Sequence, residues 1–177
     1  MTKQYIITGP PCSGKSTLLN ALSEQGFITL PEIARQIIAS EEKAGTNRFP
    51  WSELEAFSEL VFQEFVKRKQ DYKSPFVFTD RGIPDTIAYM RFDKVEIPTR
   101  YTKTLLEYPY DKKVFFTPFW DEIYTTDKER KEDPKHAKAI GNSIKETYEM
   151  LGFDLIVLPK TDVNSRINLI LNHLNEV

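Results

Sequence analysis

The stretch GPPCSGKST, Gly9 to Thr17, places two glycines, one lysine and two consecutive hydroxyls between an apolar run, QYIIT, and a helix-spaced segment, LLNALSEQG. These residue types at such a junction suit anion binding. The first turn of a helix has four backbone N–H groups without intrahelical partners, and the helix dipole adds partial positive charge there. A glycine-rich loop ahead of it can turn its own amides inward, because glycine tolerates the backbone angles required. Gly9, Gly14, Lys15 and Ser16 fit G-x-x-x-x-G-K-[ST], in which the loop cradles phosphates, the lysine reaches the β and γ groups and the hydroxyl holds magnesium. Gly9, Pro10, Pro11, Cys12, Ser13, Gly14, Lys15, Ser16 and Thr17 are therefore assigned to nucleotide binding, with Ser16 also a metal ligand. A Gly/Pro-rich turn could merely link strand to helix, but a strand before and a helix after are the context this pattern needs.

Further candidates follow two other apolar runs. FVFTD delivers Asp80 in the manner of the acid that stands beside magnesium in nucleotide-hydrolysing folds, where the metal needs a hard oxygen ligand. ITLPEIAR places Glu32 at a strand end, with Arg35 one helical turn on and on the same face. Glu32 could be a first-turn acid favoured by the helix dipole, or a functional carboxylate facing the crevice. Arg81 and Arg35 could be surface ion-pair residues, or could neutralise a transferring phosphate. The charged run after PFW contains Lys128, Arg130 and Lys131, where a lid over the phosphates would lie, about residues 120–135.

The elements that must position these groups alternate. Strands are expected at Tyr5–Thr8, Phe27–Leu30, Phe76–Thr79, Val114–Thr117 and Leu155–Leu158, each short and apolar, as in strands buried on both faces. Helices are expected at Lys15–Glu24, Ile33–Lys43, Ser52–Lys69, Pro84–Phe92, around Thr99–Glu107, at Lys135–Leu151 and at Val163–Leu174. The Ser52 helix carries a capping-box pattern, Ser52 with Glu55, and the stripe Leu54, Phe57, Val61 and Phe65 follows the spacing of an inner face. Alternating β and α units imply a parallel sheet covered by helices on both sides. Ligands of such sheets sit outside the carboxyl ends of the strands, where the candidates above fall.

The chain has 177 residues, 40% hydrophobic and 28% charged, which suits one domain with a substantial core. A formal net charge of −2 gives no overall field favouring nucleic acid or an anionic membrane. One cysteine, Cys12, rules out an internal disulfide and a cysteine-rich zinc site, in keeping with a cytoplasmic setting. His136 and His173 are too few and too scattered to suggest a metal site, and no run has the length of a membrane span or signal peptide. Nothing in the sequence fixes an oligomeric state.

The ordered set GPPCSGKST, PEIAR, TDRGIPDTIAY, PFWDEIYTTDKER and LGFDLIVLP resembles the small P-loop ATPase/kinase family related to the ribosylnicotinamide kinase domain, an AAA-type ATPase/kinase family. More distantly it is similar to deoxynucleoside and nucleoside monophosphate kinases. The resemblance covers nearly the whole chain and implies one α/β domain over 1–177, a three-layer P-loop fold with a five-stranded parallel sheet in the order 2-3-1-4-5. By analogy, Glu32 would be the general base, Asp80 would organise magnesium and Arg81 would contact phosphate, with Lys15 and Arg130 completing the catalytic set. The lid departs from the relatives' Asp-Gly-x-Arg, having Asp127-Lys128-Glu129-Arg130.

A GTPase would need D-x-x-G and an N-K-x-D or T-K-x-D base reader, and the chain offers only DRGI and PKTD. An oligomeric AAA+ motor would need an Asp-Glu pair where Asp80 is followed by Arg81, and room for a C-terminal helical domain. The expectation is an ATP- and magnesium-dependent phosphotransferase acting on a small nucleoside-like or nucleotide-like acceptor. The alternative is an ATPase or nucleotide-binding regulator without such an acceptor. The acceptor pocket is expected to include Arg35, Asp85, Tyr89 and residues of the Ser52 helix, with adenine near LPKTD after the fifth strand.

Overall fold

A computed structural model describes residues 1–123 and 133–175. Its elements in chain order are β1 (Lys3–Thr8), α1 (Lys15–Glu24), β2 (Thr29–Leu30), α2 (Ile33–Ala44), α3 (Leu54–Lys67), β3 (Phe76–Asp80), α4 (Ile83–Phe92) and α5 (Thr99–Leu106). They continue as β4 (Lys113–Phe116), α6 (Pro134–Met150), β5 (Asp154–Val157) and α7 (Val163–Asn175). The five strands are parallel in the order β2-β3-β1-β4-β5, as expected.

Period-two alternation sorts the strand side chains between two helical layers. Tyr5 and Ile7 of β1, Phe78 of β3 and Phe115 of β4 share one core with Leu18, Leu19 and Leu22 of α1 and Ile167 and Ile170 of α7. Ile6, Val114 and Phe116 point the other way, onto Ala88 of α4 and Ile140, Ile144 and Tyr148 of α6. Central side chains such as Phe115 are fully buried and contribute about 1.5–3 kcal/mol each. A third core joins Phe57, Val61 and Phe65 of α3 to Ile33, Ile83, Ile87 and Tyr101, so three residues of the α3 stripe are core, as the spacing suggested, while Leu54 is half-buried at the cleft.

Three local expectations fail. The edge strands are not buried on both faces: β2 is half-buried, and Val157 of β5 is 50% exposed, because each has a neighbour on one side only. β2 has two residues, although the Ile28 carbonyl still accepts the Phe78 amide at 3.0 Å. The Ser52 capping box does not form. Glu53 holds the N-cap position of α3 without a side-chain bond, and the Ser52 hydroxyl turns back to the Asn47 carbonyl at 2.7 Å, within the preceding turn. Among the described residues no helix is long and apolar enough to cross a membrane.

Candidate active site

The register of the sheet brings the ends of β1, β3 and β4 together: Ile7 pairs with both Asp80 and Phe115, and Thr8 with Phe116. The loop that follows β1 is fixed from β4. Gly9 has φ +148°, and a Cβ there would lie 2.1 Å from the Thr117 carbonyl oxygen, so only glycine admits this approach. The Thr117 amide donates to the Thr8 carbonyl at 2.8 Å. Its hydroxyl lies 2.6 Å from Oγ of Ser13, which donates to the Pro10 carbonyl at 2.8 Å. Gly14, at φ +83°, starts α1. A Cβ on it would come within 2.8 Å of the Arg166 guanidinium.

Lys15 is buried, and its ammonium donates to the carbonyls of Gly9 at 3.0 Å and Pro10 at 2.8 Å. Burial lowers its pKa from 10.5 to about 8, and the charge of Arg81 adds to the effect. The ammonium thus occupies carbonyls at the centre of a loop built for anions. Ser16 and Thr17 are exposed beside it.

Arg81, just past β3, takes a left-handed backbone, φ +66°, which is costly for a side chain of this size. The cost is offset by what the guanidinium reaches. Nε donates to Oε1 of Glu32 at 2.8 Å, and Nη1 donates to the Gly9 carbonyl and to Oδ1 of Asp85, both at 3.1 Å. Its carbon stands 5.6 Å from the centre of the Tyr89 ring. Nη2 has no hydrogen-bond partner among the described residues. Oε2 of Glu32 accepts from Nε of Arg35 at 3.1 Å. Burial pushes the Glu32 carboxyl up, but Arg81, Lys15 and Arg35 outweigh it and hold the group well below the usual carboxylate range.

Asp85 faces inward. Its carboxylate accepts from the Thr8 hydroxyl, the Gly82 amide at 2.9 Å, the Tyr148 hydroxyl and Arg81, and it is 2% exposed. Both oxygens are therefore engaged inside the protein, although the residue also borders the cleft where an acceptor contact was expected. Asp80 is buried as well. Burial, then the charge of Glu32, raises its pKa, and Oδ1 has no hydrogen-bond partner. An orphaned carboxylate oxygen at a strand end below a phosphate loop fits a hard cation, which takes most of its ligands from water and phosphate. Among the described residues no group of three or more His, Cys, Asp or Glu side chains could hold a metal by itself.

Lys15, Glu32, Arg35, Arg81 and Asp85 border one cleft of about 1290 Å³. It runs from Thr161, Asp162 and Arg166 past the loop, then between α2, α3 and α4, where Arg35 and Tyr89 stand with Ile33, Phe57, Val61 and Phe65. Asp80 is not on its wall. Lys128, Arg130 and Lys131 of the expected lid lie outside the described residues.

Sequence reasoning missed Thr117, Tyr148 and Arg166. Arg166 shares the apolar inner face of α7 with Ile167 and Ile170, is 2% exposed, and donates to the Ser13 carbonyl at 3.4 Å beside Trp120. An arginine at an inner-face position of an amphipathic helix was the available signal. The Asp162 side chain, near the expected adenine site, caps α7 through Ser165 at 3.0 and 2.7 Å.

A family profile described as AAA domain matches residues 4–166. The chain belongs to the AAA domain family. Solved structures of similar fold include deoxyadenosine kinase from M. mycoides with bound dATP, at 18% identity and TM-score 0.71, covering 98% of this chain and 99% of that one. The same enzyme with the products dCMP and dCDP matches at 17% identity and TM-score 0.69, over 98% and 100% of the two chains. Thymidylate kinase from Candida albicans matches at 16% identity and TM-score 0.68, over 99% and 92%. Likeness of this degree establishes a P-loop kinase-type fold. No curated protein matches the chain.

Proposed function

We propose that this AAA-family chain is an ATP- and magnesium-dependent phosphotransferase acting on a small nucleoside-like or nucleotide-like acceptor, in a cytoplasmic setting. One observation carries the reading over plain ATP hydrolysis or nucleotide binding without turnover. The cleft does not stop at the phosphate loop but continues, past Glu32 and Arg81, into a chamber walled by Ile33, Phe57, Val61, Phe65 and Tyr89. Hydrolysis needs room for water only, and an apolar, aromatic chamber beyond the γ-phosphate position suits a second organic molecule.

Phosphoryl transfer asks a protein for positioning and for positive charge around the moving group. The loop amides and Lys15 hold the phosphates, whose oxygens replace the carbonyls of Gly9 and Pro10 around the ammonium. Arg81, fixed by Glu32, Asp85 and Gly9, offers Nη2 to the γ-phosphate without rearranging, so its charge is preorganised. The acceptor oxygen bonds to the γ-phosphorus as the bond to the β–γ bridging oxygen breaks, and the acceptor proton passes to Glu32. Magnesium, held by Ser16 and by Asp80 directly or through water, would supply charge neutralisation on the phosphates when bound. Arg35 and Tyr89 line the acceptor side, Asp85 positions Arg81, and Arg130 is proposed for the lid.

The test is ATP consumption over nucleosides, nucleotides and nicotinamide riboside, with product mass measured. Faster turnover with one acceptor, and a product heavier by one phosphoryl group, supports the kinase. Equal slow hydrolysis with every compound refutes it.

A further inference from the structure

Ser58 of α3 and Thr86 of α4 stand on the two helices that wall the acceptor chamber, and both line the cleft. Ser58 is 2% and Thr86 7% exposed, and neither hydroxyl has a hydrogen-bond partner among the described residues. Among the described residues the enclosed side-chain atoms without a partner are Asp80 Oδ1 and Arg166 Nε, so the two hydroxyls are not sealed in the core but open onto the chamber they line. Their neighbours Phe57, Val61 and Tyr89 offer flat or apolar surface.

The charges at this end point the same way. Among the described residues Arg35 and Arg81 are the guanidiniums at this end, and the carboxylates of Glu32 and Asp85 already accept from them. Glu42 and Asp93, also on the cleft wall, have no ion pair among the described residues. Among the described residues, a second phosphate would pass two unmatched carboxylates and meet guanidiniums already paired with carboxylates, the open Nη2 of Arg81 being the edge offered to the γ-phosphate. Phosphate recognition usually rests on charge-assisted or bidentate pairs with free guanidinium edges.

We propose that Ser58 and Thr86 are the polar groups that read the acceptor, and that the acceptor is a flat ring system carrying a hydroxyl and no phosphate. The inference rests on the kinase reading above. The ring packs on Phe57, Val61 and Tyr89, the two hydroxyls meet polar atoms on its edge, and its own hydroxyl lies toward Glu32.

The experiment pairs each common nucleoside and deoxynucleoside, and nicotinamide riboside, with its 5′-monophosphate, using the full chain, ATP and magnesium, with product mass as readout. The unphosphorylated member of the accepted pair is expected to have at least a tenfold higher kcat/KM. Ser58→Ala and Thr86→Val should each raise the acceptor KM by about 2- to 12-fold, the range for one neutral hydrogen bond, and leave the KM for ATP unchanged. Thr86→Ser should recover most of the loss, and thermal melts establish that each variant is folded. Preference for a monophosphate overturns the inference while leaving the kinase reading intact. Unchanged acceptor KM in both variants overturns the assignment of the hydroxyls. Acceptor-independent hydrolysis across all pairs overturns both readings together.

Discussion

Replacing Asp85 with Asn separates two roles that the sequence alone could not distinguish. The carboxylate accepts from Thr8 and Arg81 on Oδ1, and from Gly82 and Tyr148 on Oδ2. An amide can satisfy one of these pairs of donors with its oxygen, but it turns an NH₂ toward the other. The hydroxyl of that pair can rotate to accept, but its N–H partner cannot, so one buried donor is left unmet, at about 1–3 kcal/mol, and Arg81 loses one of its two carboxylates. Breaking a fully buried ion pair costs about 3–5 kcal/mol, but Glu32 still holds Nε at 2.8 Å, so a total of about 2–4 kcal/mol is expected. For a domain of this size that lowers Tm by about 5–15 °C. The catalytic effect should fall on kcat, because Arg81 is displaced while the apolar and aromatic walls of the chamber keep their side chains, and a misplacement near 1 Å can cost about a hundredfold. Thermal melts followed by circular dichroism, with steady-state kinetics on the folded variant, read both effects. If Asp85→Asn keeps its Tm and its kcat but raises the acceptor KM, Asp85 touches the acceptor and the positioning argument is wrong.

Three other substitutions and one titration test neighbouring parts of the site. Glu32→Gln should retain MgATP affinity and lower kcat by about 10²–10⁴-fold, as for a lost general base, and calorimetry with kinetics checks both. Asp80→Asn should instead weaken magnesium dependence and catalysis together, with little nucleotide effect when magnesium is withheld; an unchanged magnesium titration counts against the metal role. Thr117→Val removes the hydroxyl beside Ser13 and should cost about 1 kcal/mol in stability while weakening ATP binding; a variant with wild-type affinity shows that the loop needs no tether from β4. Lys15 titrates near pH 8 in the free protein, against 10.5 when unfolded, so the unfolded chain holds more protons between those values and stability rises across that window. The full difference corresponds to roughly 3 kcal/mol. Phosphate restores the charge, so nucleotide binding at pH 8 should take up protons, visible as a buffer-dependent heat that vanishes in Lys15→Met.

The fold was legible because its signals are local. Apolar strands, a glycine loop and helix-spaced stripes specify β and α units in turn, and parallel connectivity leaves few arrangements. The site was legible where candidate chemistry follows strand ends directly: register brings Asp80 and Arg81 beside Ile7, and Lys15 and Glu32 stand where the helices after β1 and β2 begin. What escaped was the direction of side chains. Asp85 shares the strand-end segment with Arg81, and no local pattern tells whether its carboxylate turns toward solvent or toward Thr8 and Tyr148, which lie 77 and 63 residues away in sequence. Ser52 failed as a cap for a similar reason, since a competing carbonyl in its own turn took the hydroxyl. Thr117 and Arg166 act on the loop across the sheet, from partners that only the folded chain supplies.

Glu32 presents a conflict that the rest of the site resolves. A general base should bind protons readily, yet Arg81, Lys15 and Arg35 hold this carboxyl low in the free protein. The arginine responsible is also the one offered to phosphate. When an anionic phosphate meets Arg81 and Lys15, their field at Glu32 is partly cancelled while burial remains, and burial alone pushes the carboxyl up. On the proposed reading Glu32 would stay ionised, and so able to accept, until phosphate arrives, and would become a stronger base once transfer can proceed. For this to work Arg81 must not follow the phosphate and abandon its position. Asp85 and the Gly9 carbonyl secure Nη1 independently of Glu32, so the guanidinium can share its charge with phosphate while its frame stays fixed. On that reading Asp85, by holding Arg81, would be what allows the neighbouring acid to change its basicity as phosphate binds.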